Sequence, residues 1–173
     1  MLVFAPLIGS GEVRPAQCGF DRWAVKTLTD LDAKRVKFAP VNTTVGKLAA
    51  IPIHEIRYPE DSRIEPEELN VYRLQARLIE VRREKDRDLH LILADVEQPE
   101  VRIIAEIPAP ECANGSGHQD EFRQARETIR FISRNSVVEV VGVGFFDYLH
   151  DAKGGAKNGI ELHPVLRVRE LTE

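Results

Sequence analysis

The sequence predicts a mainly β (α+β) fold, and three features predict it. Five segments have the length and apolar alternation of strands. One amphipathic segment with helical spacing falls between the third and the fourth. Polar stretches carrying proline or glycine separate them. Five strands with a helix between the third and fourth is the layout of a five-stranded OB-like barrel. It occupies residues 71–168 of the 173.

Taken in order, residues 1–17 read as a flexible arm with prolines at Pro6 and Pro15. Their start, MLVFAPLIG, is apolar but short and lacks a basic leader, so it is not read as a signal peptide. Residues 18–70 form an N-terminal helical extension and linker. Thr29 and Asp30 can cap a short helix over LDAKRV, and Thr43 and Thr44 one over VGKLAAI. Trp23, Val25, Leu28 and Leu31 are the expected contacts with the barrel. The acidic, proline-bearing stretch 52–69 reads as a surface connection.

The barrel domain, 71–173, opens with VYRLQARLIEVRRE (71–84), DLHLILAD (88–95) and VRIIAEIP (101–108). In the second strand Leu89, Leu91 and Leu93 share one face, opposite Asp88, His90 and Ile92. The helix is DEFRQARETIRFISRN (120–135). Phe122, Ala125, Ile129 and Ile132 point to the barrel, Asp120 caps the start, and Arg123, Arg126, Glu127 and Arg130 face water. The last strands are SVVEVVGVGFFDYL (136–149) and GIELHPVLRV (159–168), joined by a polar loop. Gly142 and Gly144 suggest a bulge, and Pro164 fits a strand edge or bulge.

Net charge is −4, which argues against nucleic-acid binding by a broad basic surface but leaves room for a small basic cleft. No apolar run approaches the ~20 residues of a membrane span. Cys18 and Cys112 are either two buried thiols or one disulfide clamping the extension to the barrel; the latter implies an oxidising compartment and export.

An OB barrel sets its third and fifth strands side by side. The outward face then gathers Arg102, Glu106, Glu161 and His163, with Asp88 and His90 one strand away. Upstream, Asp86-Arg87-Asp88 opens the second strand, and downstream a Pro-Glu follows the third. With these residues the stretch 71–168 resembles the staphylococcal (thermonuclease) family. The resemblance implies a calcium-dependent phosphodiesterase. Asp86 or Asp88 and then Glu106 would be the metal carboxylates, Arg102 would hold a phosphate and Glu111 would be the general base. The family's second arginine finds Lys153, Lys157 or His150 near its place. The blocks CGFDRW, AVKTLTD, DLHLILAD, GVGFFDYLHD and NGIELHPVL are also similar to an uncharacterised family of bacterial proteins.

Carboxylate ligands suit Ca²⁺ or Mg²⁺. A set of His90, His163, Asp88 and Glu106 would instead suit Zn²⁺ or Mn²⁺. His163 and Glu161 are also consistent with simple hydrogen bonds on a sheet, and His54 and His118 with solvated linkers. Phe145, Phe146 and Tyr148 form an aromatic cluster in which Phe145 or Tyr148 can stack a base. One of the two adjacent phenylalanines must leave the core if the strand is regular.

Three functions follow. The first is an OB-fold binding protein for nucleic acid or a small-molecule ligand, using His90, Glu161, His163, Phe145 and Tyr148. The second is a metal-dependent phosphodiesterase or nuclease, with Arg102 and Glu111 catalytic and Asp88 and Glu106 on the metal. The third is an exported structural or protein-interaction domain. The sequence leaves open whether the protein is an enzyme.

Overall fold

The computed structural model describes residues 18–19, 21–53, 59–148 and 154–171. The barrel strands are β2 (Asn70–Arg83), β3 (Leu89–Ala94), β4 (Arg102–Ile107), β5 (Val137–Phe146) and β6 (Ile160–Glu170). An additional strand, β1 (Lys37–Asn42), precedes them. The sheet runs β1-β2-β3-β4-β6-β5, and a further β2–β5 pairing closes it. This is a closed, mixed, five-stranded OB-like barrel with one extra strand. The fourteen-residue β2 makes closure possible, pairing its first half with β5 and its second half with β3. No helix among the described residues is long and apolar enough to cross a membrane.

The interior follows from alternation. Leu74, Ala76 and Leu78 of β2, Leu91 and Leu93 of β3, and Ile103 and Ala105 of β4 are buried together. Phe122, Ala125 and Ile129 of α3 (Gln119–Ile129) close the barrel bottom as expected. Phe146 joins this core and Phe145 takes the opposite face. The β5–β6 register shifts at Gly142 and again before Gly144, so the bulge expected there is present. Gly144 lacks room for a side chain, since a Cβ there would lie 2.5 Å from the Glu67 carbonyl oxygen, and Gly142 is tight, with Pro164 O 3.0 Å from where its Cβ would be.

The helix ends earlier than its apolar spacing suggests. Past Ile129 the chain turns at Asn135, with φ of +69°. The Asn135 N–H donates to Leu78 O at 2.7 Å, and Leu78 N–H donates to Ser136 O at 3.0 Å. Pairing with β2 captures the segment that helical periodicity would have extended, and Phe131 is left 84% exposed. At the other end His118, not Asp120, occupies the cap position, without a side-chain cap. Asp120 instead pairs with Arg123 in the first turn. Arg126 does not face water: it is half-buried and donates to Ile107 O and Arg87 O.

The extension departs most from expectation. LDAKRV forms only a 3-10 turn, Ala33–Arg35, and the chain then becomes β1, parallel to β2. Pro40 in that strand lacks an N–H donor and obscured it in the sequence; an edge strand tolerates this. The cap at Thr44 is present, its side chain accepting from Lys47 N–H at the start of α2 (Val45–Ala49). Val25 and Leu28 are buried, whereas Leu31 is 85% exposed. Trp23, in α1 (Trp23–Lys26), donates from Nε1 to Cys112 O at 3.1 Å.

The stretch 52–69 is not a mere surface connection. Among its described residues Arg63, Ile64, Glu68 and Leu69 are buried. Arg22 and Glu68 form a bidentate ion pair at 2.7 and 2.6 Å, and Arg63 and Asp30 form another at 3.1 and 2.6 Å. Both pairs are fully buried. Local sequence could not reveal them, because each charged residue lies in a stretch that reads as solvated. Cys18 and Cys112 form a disulfide, with Cα atoms 5.4 Å apart.

Candidate metal centre

Three neighbouring strands build the site. His90 on β3 stands directly opposite Glu106 on β4. On the other side β6 runs parallel to β4 with Ile104 beside Glu161 and Ala105 beside Leu162. One residue further along, Glu106 meets His163. Asp88 enters just before β3, where its Oδ1 accepts from Ala109 N–H at 2.9 Å.

Glu106 Oε1 lies 2.8 Å from His90 Nδ1, and Glu106 Oε2 lies 3.3 Å from His163 Nδ1. His163 Nε2 lies 3.5 Å from Asp88 Oδ2. One donor atom each from Asp88, Glu106 and His163 fall within 4.8 Å of one another. The Arg82 guanidinium, which can only donate, lies 3.2 Å from His90 Nε2. His90 therefore accepts at Nε2 and carries its proton on Nδ1, facing Glu106.

Burial pushes Glu106 up, but the His90 hydrogen bond and the nearby His163 and Lys26 outweigh it and hold the carboxyl at about 2. Glu161 behaves oppositely. Burial, then Glu106 and Asp147, push its carboxyl well above the ordinary range. Burial and then Asp88 also raise Asp86.

Several buried polar atoms lack hydrogen-bond partners here: Asp88 Oδ2, Glu161 Oε2, and both ring nitrogens of His163. The contacts of His163 with Glu106 and Asp88 are close but not aligned as hydrogen bonds. Each such atom costs about 1–3 kcal/mol if left unsatisfied. A cation held by one donor atom each from Asp88, Glu106 and His163 would remove part of that cost. It would take only one His163 nitrogen, since the 3.3 Å contact to Glu106 uses Nδ1 and the 3.5 Å contact to Asp88 uses Nε2.

Of the residues singled out in the sequence, Asp88, His90, Glu106 and His163 come together, with Glu161 alongside. Arg102 does not join them; it is exposed and its nearest hydrogen-bond contact is Pro99 O at 3.5 Å. Glu111 lies on the 3-10 turn Pro110–Cys112 and pairs with Arg87. Its own backbone N–H lowers its carboxyl pKa, burial opposes this, and the charges of Arg87 and Arg126 lower it further. Phe145 is fully buried. The Arg22 guanidinium lies 4.7 Å from its ring centroid, the Lys26 ammonium 5.3 Å, and the His163 ring edge-on at 5.5 Å. No base can stack on Phe145 while the extension is in place. Tyr148 is 41% exposed. His118 is half-buried and stacks on Phe38 at 4.9 Å rather than standing free in solvent. Lys157 is exposed, and His54, His150 and Lys153 lie outside the described residues.

No protein-family model matches the sequence, and no curated protein matches it. Solved structures similar to it include two aminoacyl-tRNA synthetases. One is described as an aspartyl-tRNA synthetase from Leishmania major, with a TM-score of 0.48 and 14% identity over 80% of this chain. The other is the asparaginyl-tRNA synthetase of Entamoeba histolytica, with a TM-score of 0.45 and 10% identity over 78% of this chain. This chain spans 22% and 24% of their lengths.

The residues missed by sequence reasoning are those that hold the site from behind. Arg126 grips the Arg87 and Ile107 carbonyls on either side of Asp88. Arg22 and Lys26 bring positive charge over Phe145. Their only sequence signal is the clustering of basic residues in amphipathic segments, which ordinarily marks a solvated face.

Proposed function

We propose that the protein is a metal-dependent hydrolase of phosphodiesters, with one divalent cation held by Asp88, Glu106 and His163. The observation that carries this is the set of three donor atoms within 4.8 Å, with Asp88 Oδ2 and the His163 nitrogens unpartnered. The donor chemistry favours Zn²⁺ or Mn²⁺ over the Ca²⁺ that a thermonuclease-like site would take. Ca²⁺ asks for six to eight oxygens, and here an imidazole is among the donors. When bound, such a cation supplies Lewis-acid polarisation of a phosphoryl oxygen. His90 orients Glu106 through its Nδ1 proton, and Glu161 lies alongside the cluster on β6.

A second reading has its own support. Asp88 and His163 are completely buried, as in a closed, structural metal site. In that case the cation stabilises an OB-fold binding protein without chemistry. Under either reading the Cys18–Cys112 disulfide supports an oxidising compartment.

The test is metal content and cleavage measured on the same protein. Wild type, Asp88→Asn and His163→Ala are dialysed against Zn²⁺ or Mn²⁺ and analysed by mass spectrometry for bound metal. Cleavage of bis(p-nitrophenyl) phosphate, DNA and RNA is then followed with each metal or EDTA. One bound ion and EDTA-sensitive cleavage, both lost in the variants, are expected. Folded, metal-loaded protein that cleaves none of these substrates would overturn hydrolysis and leave the second reading.

A further inference from the structure

A groove separate from the metal cluster runs between α3, the 3-10 turn Pro110–Cys112 and the adjoining ends of β2 and β3. Its volume is about 550 Å³, and Arg83, Arg123, Arg126 and Arg130 line it. Leu89 gives it an apolar wall, and Glu111 stands at its edge. Arg123, Arg126 and Arg130 are three and seven residues apart, so they follow one side of α3. Arg83, at the end of β2, lines the same groove opposite the helix.

Four guanidinium groups around one concavity repel one another. Two are held in place: Arg123 by Asp120, and Arg126 by the carbonyls of Ile107 and Arg87. Among the described residues Arg83 and Arg130 have no ion-pair partner. Two glutamates, Glu111 and Glu127, share the groove, and Glu111 already pairs with Arg87. On a chain of net charge −4 this is a local basic concavity, and field focusing in such a cleft attracts anions.

Arg123 and Arg130 are separated by about 10 Å along the helix axis. That is long for one phosphate and suits a chain of them. The residue after Arg130 is Phe131, whose ring is 84% exposed. An exposed aromatic beside a run of arginines is the arrangement on which unpaired bases stack. We infer that this groove binds the backbone of single-stranded nucleic acid, with Arg83 and Arg130 on phosphates and Phe131 under a base. Binding here requires neither the metal nor Phe145. The groove nonetheless adjoins the cluster, because Arg126 holds the Arg87 carbonyl next to Asp88.

The test is fluorescence anisotropy of labelled oligothymidylate and oligouridylate of about 12 nucleotides. It is run in EDTA with wild type, Phe131→Ala and the double variant Arg83→Ala/Arg130→Ala. Circular dichroism checks that each is folded. Wild type is expected to bind in EDTA, where no metal can occupy the cluster, separating this inference from the metal reading. The double variant should bind more than tenfold more weakly and lose about two from its logarithmic salt slope. Phe131→Ala should lose about fivefold to 150-fold on single strands and little on a duplex of the same length. No binding by wild type, or unchanged binding by the folded double variant, overturns the inference. So does equal or tighter binding of labelled polyglutamate, which would make the groove an acidic-peptide site.

Discussion

Glu106 and His163 face each other across the parallel pair β4 and β6, with Oε2 3.3 Å from Nδ1. The contact is one residue beyond the Ala105–Leu162 register. Parallel pairing is what aligns them, so a carboxylate and an imidazole remote in sequence share one outward face. His90 approaches the same carboxylate from β3. Glu106 is thus the middle of a three-strand row, and the two histidines have different consequences.

His163 is a proposed ligand, whereas His90 is a positioning residue. Zn²⁺ at a hundredfold excess over its Kd should stabilise wild type by about 2.7 kcal/mol. His163→Ala should lose that gain entirely. His90→Ala should keep it in part, with affinity lower by about 10- to 100-fold. Thermal melts over a Zn²⁺ titration check both, and EDTA should reverse every shift.

The Arg22–Glu68 pair ties the extension to the barrel. Glu68 also accepts from Ile64 N–H at 2.6 Å and Phe146 N–H at 2.8 Å. Removing one partner leaves a buried charge uncompensated, so Arg22→Ala or Glu68→Ala should each cost about 3–5 kcal/mol. Combining the two should cost less than their sum, since the second change removes a charge already stranded. Urea denaturation of the four proteins measures this coupling.

Glu161 should impose a distinctive pH dependence on metal-free protein. Burial, then Glu106 and Asp147, raise its folded pKa, so the native state holds a proton that the unfolded chain releases. Its contribution is full below the ordinary glutamate value of about 4.3 and is lost as pH rises through the folded pKa. Glu106, held at about 2, acts in the opposite sense, losing its contribution as pH falls from the ordinary value towards about 2. Glu161→Gln should therefore flatten the decline of Tm above about pH 4.3 and leave the acid limb in place. Melts in EDTA across the pH range test it; an unchanged alkaline limb would show that Glu161 is ionised in the native protein.

The disulfide joins residues separated by 94 positions. On the chain-entropy account, closing so long a loop restricts the unfolded state substantially, and typical disulfides contribute about 2–4 kcal/mol. Cys18→Ser/Cys112→Ser should lose about that much. Dithiothreitol should do the same to wild type and nothing further to the variant, as denaturation midpoints would show.

The barrel was legible in the amino-acid sequence alone. Period-two alternation specified five strands, and the apolar spacing of Phe122, Ala125 and Ile129 specified the helix between the third and fourth. The OB layout then implied that the third and fifth strands are neighbours, which brought Glu106 towards His163. These features were legible because each rests on short-range periodicity plus one topological rule.

Which outward face stays open depends on contacts between segments far apart in the chain. Alternation states that Phe145 leaves the core, but not that Arg22 and Lys26 of a distant segment will cover it. It places Arg102 on the same strand as Glu106, but the exposed end of that strand carries it away from the cluster. It makes α3 look longer than it is, because pairing of residues 135–136 with Leu78 overrides helical spacing. The buried charges Asp30, Arg63, Arg22 and Glu68 were the least legible. Each is stable inside only because its partner is far away in sequence, and a lone charge in a polar stretch has no pattern that names the partner.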